Sequence, residues 1–343
     1  NPRGIYPHTV TRRATRVMGR RARVVAMTIA CVLLCVSGAR ARALERGPPP
    51  NLNLAPALTR ATGADATVDD ARARAPSRPE VDVERAKRAL WFAGAAYCKV
   101  GLGNWTCRYC ERASATLTDV GVFEHDRKRV KAYAGYDKRS RRVVVAFRGT
   151  EPRSLYNWVE NLDAAHSTLP SADAAAGEGR VHAGFQDAYA SVRKQLISHL
   201  IKLRTKYERM WRHVEVEISG HSLGGALSTL AAVELEALGF RVASVSTFGS
   251  PRVGDQVFAS FIGGKFGDRM RRWTHAHDVV PSLPPRVLGY HHVPTEVFQN
   301  ASGGYILGDG TGEDPKGSDS EWTHASLADH LVYLGMDVCS CNM

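Results

Sequence analysis

Gly220-His221-Ser222-Leu223-Gly224-Gly225 constrains this chain more than any other stretch. A strand-like run precedes it, Val214-Glu215-Val216-Glu217-Ile218. A helix-like run follows, Ala226-Leu227-Ser228-Thr229-Leu230-Ala231-Ala232. Gly220, Ser222 and Gly224 form G-x-S-x-G, a pattern that alone marks only a turn. Between a strand and a helix it describes a nucleophile elbow, with a serine in strained backbone geometry at the tip of a sharp turn. The flanking glycines let strand and helix approach closely and leave Oγ accessible. Such a serine needs a base, an acid to orient the base, and donors for a developing oxyanion.

The 343 residues carry 46 Lys+Arg and 34 Asp+Glu, but the excess is local. Residues 1–80 hold 14 basic and 5 acidic side chains, a net of +9; the other 263 hold 32 and 29, a net of +3. The basic balance belongs to the leader, which removes the main argument for a nucleic-acid partner. The body is long enough to bury one α/β core.

Within the leader, arginines cluster at 12–13, 16, 20–21 and 23, and an apolar run follows at 24–38. Small residues come next, with Ala39-Arg40-Ala41 and Ala41-Arg42-Ala43 as candidate cleavage sites. This order predicts a signal peptide over 1–43 and secretion; an organelle (chloroplast) transit peptide is the alternative. Met18 would begin a signal of ordinary length, so residues 1–17 are a candidate gene-model artefact. Residues 44–80 are rich in Pro, Ala and Arg without an apolar period, and read as a disordered linker or propeptide.

Order is expected from Val81, with one domain over 81–343. Val143-Val144-Val145-Ala146-Phe147 has the continuous apolar character of a strand buried on both faces. Residues 185–209 read as a long helix, with Ala188, Val192, Leu196, Leu200 and Leu203 on one stripe. Further strands are expected over 242–248 and 270–275. Strands alternating with helices imply a mostly parallel sheet covered on both sides. Residues 301–320, rich in Gly, Asp and Ser, are expected to form an exposed insertion.

The best-placed acid after Ser222 is Asp278, in His277-Asp278-Val279-Val280-Pro281, just past the 270–275 strand; Asp255 and Asp268 are its rivals. Four histidines follow. His291 and His292 sit at the head of a strand-like segment and read as structural. His330, before Leu331-Val332-Tyr333-Leu334, is favoured over His324 as a base at the head of a terminal helix. The backbone N–H of Leu223 is one oxyanion donor, and Thr150, after Phe147-Arg148-Gly149, is the second.

Cys98 opens the body and Cys339/Cys341 close it, which suits a disulfide joining the ends, while Cys107 and Cys110 suit a small loop bridge. No second cysteine or histidine pair completes a metal site, and neither metal nor cofactor is expected. Asn104-Trp105-Thr106 and Asn300-Ala301-Ser302 are glycosylation sequons.

In order and together, Phe147-Arg148-Gly149-Thr150, Val181-His182-Ala183-Gly184-Phe185, the elbow, Gly249-Ser250-Pro251-Arg252-Val253-Gly254 and His277 through Pro285 resemble the fungal-type lipases, the class 3 lipase family. The resemblance covers about residues 81–341. It implies a single α/β-hydrolase domain with a short helical lid. It also implies Ser222 as nucleophile, Asp278 as orienting acid, His330 as base, and Thr150 with Leu223 as oxyanion hole. A disulfide from Cys98 and another between Cys107 and Cys110 are implied as well, with Cys339 and Cys341 both open as the partner of Cys98. The expected chain is a monomer acting on lipid at an oil–water or membrane interface.

Leu155, Trp158, Val159 and Leu162 fall at i, i+3, i+4 and i+7, one face of a short helix directly after Thr150. The resemblance places a mobile lid there, so interfacial opening is expected. The expected activity is fatty-acid release from acylglycerols. A phospholipase or galactolipase uses the same chemistry and is the first alternative; an inactive lipid-binding protein of the same fold is the second.

Overall fold

The computed structural model describes residues 81–113, 115–168, 179–210, 213–320 and 325–342. The expected signal peptide, the expected linker or propeptide and the rival base His324 lie outside the described residues.

Helix α1 (Val83–Ala95) starts at Asp82, whose carboxylate accepts from Arg85 N–H, and leads to the short α2 (Arg108–Arg112). Strands β1 (Leu117–His125), β2 (Val130–Asp137) and β3 (Arg142–Phe147) follow. Next come α3 (Pro152–Glu160), the paired strands β4 (His166–Thr168) and β5 (Arg180–His182), and the long α4 (Ala183–Tyr207). Strand β6 (Glu215–His221) runs into α5 (Leu223–Ala237), and β7 (Arg241–Phe248) is followed by α6 (Gln256–Phe266) and β8 (Met270–His275). Strands β9 (Glu296–Gln299) and β10 (Tyr305–Leu307), one-turn helix α7 (Leu327–His330) and the hairpin β11 (Val332–Tyr333)–β12 (Met336–Asp337) complete the chain.

The eight-stranded sheet has the order β1-β2-β3-β6-β7-β8-β9-β10. Every pairing from β3 to β9 is parallel, and the edge pairings are antiparallel. The apolar run of β3 explains the layering. Val143, Val145 and Phe147 face a core shared with Val192, Leu196 and Leu200 of α4 and with α5 and α6; Val144 and Ala146 face Leu90 and Phe92 of α1. Two disulfides, Cys98–Cys341 and Cys107–Cys110, lie on the α1 side, and Cys339 remains reduced.

Two expectations need correction. Residues 331–334 do not continue a terminal helix: Leu334 and Gly335 both take positive φ, 49° and 76°, and close a tight β-hairpin instead. Nor is the 301–320 segment simply exposed. Glu313 and Asp314 are buried, and Glu313 accepts two 2.8 Å hydrogen bonds from Arg252, itself 3% exposed. The Arg272 guanidinium, also buried, donates to the Gly312 carbonyl at 2.9 Å and to Glu296 at 3.3 Å, while Ser318 Oγ donates to Glu296 at 2.6 Å. Polar composition read as solvation hides buried ion pairs.

Burial pushes the Glu313 carboxyl up, but the hydrogen bond and charge of Arg252 outweigh this and hold it below its ordinary value. A lowered carboxyl contributes stability above its unfolded pKa and loses it as pH falls through the folded one. Glu313→Ala, which strands the buried Arg252 charge, is expected to cost about 3–5 kcal/mol in urea unfolding at neutral pH. The difference from wild type should shrink as pH falls below the ordinary glutamate value.

Candidate active site

Strand β6 ends at His221 and helix α5 starts at Leu223, so Ser222 alone makes the turn, at φ 59° and ψ −131°. This is a costly conformation for a residue with a side chain, and the surroundings hold it. Ser222 N–H donates to Phe248 O at 2.8 Å, and Gly225 N–H to Ser222 O at 2.8 Å. A Cβ on Gly220 would lie 2.1 Å from Gly224 O, and one on Gly224 would lie 2.2 Å from Phe147 O. Only glycine permits these approaches. The first N–H groups of α5 lack intrahelical acceptors, so the helix start presents donors beside the serine.

Asp278 follows β8 through a turn in which Ala276 takes φ 40°. The segment carrying His330 is zipped onto this turn. Ser326 N–H donates to His277 O at 2.7 Å, His277 N–H to Asp329 Oδ2 at 3.1 Å, and Asp278 bridges Ser326 in parallel. His330 therefore comes to lie beside Asp278, with Nδ1 at 2.9 and 2.8 Å from Oδ1 and Oδ2. Both side chains are essentially removed from solvent. Val280 N–H donates to Asp278 Oδ1 at 2.9 Å and Tyr333 OH to Oδ2 at 2.5 Å, so the carboxylate has partners on both oxygens.

With Nδ1 facing a carboxylate, that nitrogen carries the proton and Nε2 is left as the basic one. The serine belongs to the same cluster: its neighbour His221 packs with its ring tilted against that of His330, 4.5 Å between centroids, and reaches the His330 carbonyl at 2.7 Å. Ser222 Oγ, His330 Nε2 and Thr150 Oγ1 are all buried without a hydrogen-bond partner. Buried polar atoms are rarely left so.

The rivals have other work. Asp255 caps α6 through Phe258 N–H and pairs with Arg180, and Asp268 is exposed beside Arg271. His292 is buried with Nε2 2.6 Å from Pro281 O, and burial followed by the charges of Arg272 and Arg252 pushes its pKa well below the ordinary value. His291 lies on a bridge to Gly254. Among the described residues, the one group with metal-like spacing is Cys98, Cys107 and Cys341, and disulfides deny it the thiolates a metal needs. Asn104 is exposed, with Oδ1 accepting from Thr106 Oγ1 at 2.8 Å. Asn300 is half-buried, with Oδ1 taken by Ser302 Oγ and Gly304 N–H.

Helix α3 begins with Pro152 at its first turn, and its Trp158 packs against the core. Leu155 is 3% exposed, whereas Trp158, Val159 and Leu162 are only half-buried, and Leu162 lies beyond the helix end. Trp158 stacks on Phe185 with 6.4 Å between centroids. Sequence reasoning missed Tyr333 and Gly249. A Cβ on Gly249, whose φ is 56°, would lie 2.7 Å from Asp278 Oδ2 and 2.9 Å from His330 Nδ1. Neither residue stands out by spacing, because their roles arise from distant segments meeting.

The chain is similar to several known lipases. Residues 144–288 match the family described as Lipase (class 3). The chain is 33% identical over 225 residues to secreted mono- and diacylglycerol lipase 1 of Fusarium solani, which covers 63% of each chain. The native propeptide complex of Rhizomucor miehei lipase superposes on 77% of this chain and 84% of its own, at 25% identity and TM-score 0.65. A triacylglycerol lipase whose catalytic centre is formed by a serine protease triad superposes on 77% and 99%, at 25% identity and TM-score 0.66. The fold is that of an α/β-hydrolase. On the matched segment and this fold, the chain is similar to the class 3, fungal-type lipases. It spans less than two thirds of the length of the Fusarium relative.

Gly249→Ala should drive its methyl group into the Asp278–His330 pair. Hydrolysis of a soluble p-nitrophenyl ester is expected to fall by about 100-fold or more, while circular dichroism shows the fold retained.

Proposed function

We propose that this chain is a secreted carboxylic ester hydrolase that releases fatty acids from acylglycerols through an acyl-enzyme. The observation that carries the reading is the buried Asp278–His330 pair beside a serine held in strained elbow geometry, with Ser222 Oγ and His330 Nε2 both unpartnered. The names of the relatives, including a secreted mono- and diacylglycerol lipase, support the substrate class and secretion. Two disulfides also suit an oxidising compartment, and exposed Asn104 is the better-presented glycan acceptor.

In this mechanism His330 Nε2 takes the Ser222 hydroxyl proton as Oγ attacks the ester carbonyl. Asp278 holds the imidazole and stabilises its positive charge. The carbonyl π electrons move to oxygen, and that oxyanion takes hydrogen bonds from Leu223 N–H and from Thr150 N–H or Oγ1. Collapse expels the glycerol oxygen, which receives the proton from His330. Water then repeats the sequence on the acyl-enzyme, giving the fatty acid and free serine.

Helix α3 is the lid in this account. Full burial of an apolar side chain is worth roughly 1.5–3 kcal/mol; with only Leu155 fully buried, the closed state gains less than four such terms. Tyr156, 60% exposed, already faces solvent on the same helix. An oil surface would bury the apolar face that water disfavours exposing.

Fatty-acid release from a triacylglycerol emulsion, measured beside a soluble short-chain ester, tests the reading. Wild type should jump above the substrate's solubility limit and Ser222→Ala should be inactive on both. Activity confined to the soluble ester would overturn the triacylglycerol assignment and direct attention to polar lipids. Trp158→Ser is expected to lower the emulsion-to-soluble rate ratio; an unchanged ratio would remove α3 as the lid.

A further inference from the structure

Two segments that carry the proposed machinery meet at one residue outside it, and a third is reached through His221. Tyr97 lies just beyond α1, wholly buried, beside the Cys98–Cys341 disulfide. Its hydroxyl is 2.8 Å from His221 Nδ1, immediately before Ser222 in the chain. The same oxygen lies against the Gly149 backbone, immediately before Thr150. Gly149 has no room for a side chain here: a Cβ would lie 2.3 Å from the Tyr97 hydroxyl and 2.8 Å from Ser222 Cβ. Through His221 the contact extends to the third segment, because His221 Nε2 is 2.7 Å from the His330 carbonyl oxygen.

The donors and acceptors in this chain have a single consistent direction. A carbonyl oxygen only accepts, so His221 Nε2 carries a proton and donates to His330 O. Burial, followed by repulsion from His330, pushes the His221 pKa well below the ordinary value, so the ring is neutral and its Nδ1 is bare. Nδ1 must accept, and Tyr97 OH donates to it. The reduced Cys339 thiol hydrogen-bonds the same tyrosine. Burial keeps both groups protonated, raising the thiol to about 12 and the phenol well above its usual value.

We infer that Tyr97 is a positioning residue for the proposed hydrolysis, selecting the His221 tautomer whose Nε2–H holds the His330 backbone in place. The inference rests on the Ser222–His330–Asp278 reading above. Without the phenol proton, His221 is free to place its own proton on Nδ1. Its Nε2 lone pair then faces the His330 carbonyl oxygen, two acceptors repel, and the base is displaced from the serine. The oxyanion segment loses its contact through Gly149 in the same step.

Tyr97→Phe, made in the full chain, removes one oxygen and keeps the ring. On a soluble ester its kcat is expected to fall by about 10- to 100-fold with KM changed less than about twofold, since a misplaced base slows chemistry and not binding. His221→Gln supplies a control, because an amide nitrogen at the Nε2 position donates to His330 O without any tautomer to select. In that background, whatever its own rate, adding Tyr97→Phe should cost clearly less than it does in wild type. An unchanged kcat in Tyr97→Phe would overturn the inference. So would an equal loss in both backgrounds, which would mark the tyrosine as packing alone. A wild-type chain with no Ser222-dependent esterase activity would instead remove the underlying reading.

Discussion

The closeness with which β6, the start of α5 and the end of β3 approach around Ser222 sets the terms for the rest of the site. At Gly220 and Gly224 backbone meets backbone where a methyl group would fall 2.1–2.2 Å from a carbonyl oxygen. The chain must therefore reverse within one residue, and Ser222 takes a φ of 59° to do it. That strain is sustained by what lies on either side: seven parallel pairings between β6 and β7 behind it, and a fifteen-residue buried helix in front. The same geometry aims the helix start and the serine oxygen into one space. Position and electrostatics thus share a single cause.

A second constraint brings groups from far apart in the chain to that space. Asp278 and His330 are 52 residues apart and meet because 325–330 is hydrogen-bonded along 275–279. The intervening segment cannot be a loose loop if that docking is to hold. Its buried ion pairs answer the need: Arg252 with Glu313, and Arg272 with Glu296 and the Gly312 carbonyl, tie the insertion to strands β8 and β9 and to the loop carrying Asp278. Arg252 also donates to the Pro284 carbonyl at 3.2 Å, so one guanidinium joins the insertion to the segment that follows Asp278. These charges are costly to bury and costly to break, which favours one arrangement over near alternatives.

Much of this was legible in the chain. The elbow reads directly, because strand alternation, glycine spacing and helix character all sit within twenty residues. The double-sided burial of β3 and the stripe of α4 follow from periodicity, since every residue of those elements faces either core or solvent. What stayed hidden depends on contacts between distant segments. Tyr333 bonds Asp278 only because Leu334 and Gly335 reverse the chain where an apolar run suggests a helix. Glu313 looks like one more polar residue of a Gly- and Asp-rich loop until Arg252 is seen against it. Likewise, the partner of Cys98 could be either of two cysteines by sequence, and it is Cys341, leaving Cys339 beside Tyr97.

The central claim is that Ser222 is the one nucleophile of a buried Ser–His–Asp site. Incubation with a long-chain p-nitrophenyl phosphonate, followed by peptide mass spectrometry, tests it most directly. The account predicts one adduct per chain, on Ser222, formed in step with the loss of esterase activity. Modification of a different residue, or activity that survives complete labelling of Ser222, would contradict it.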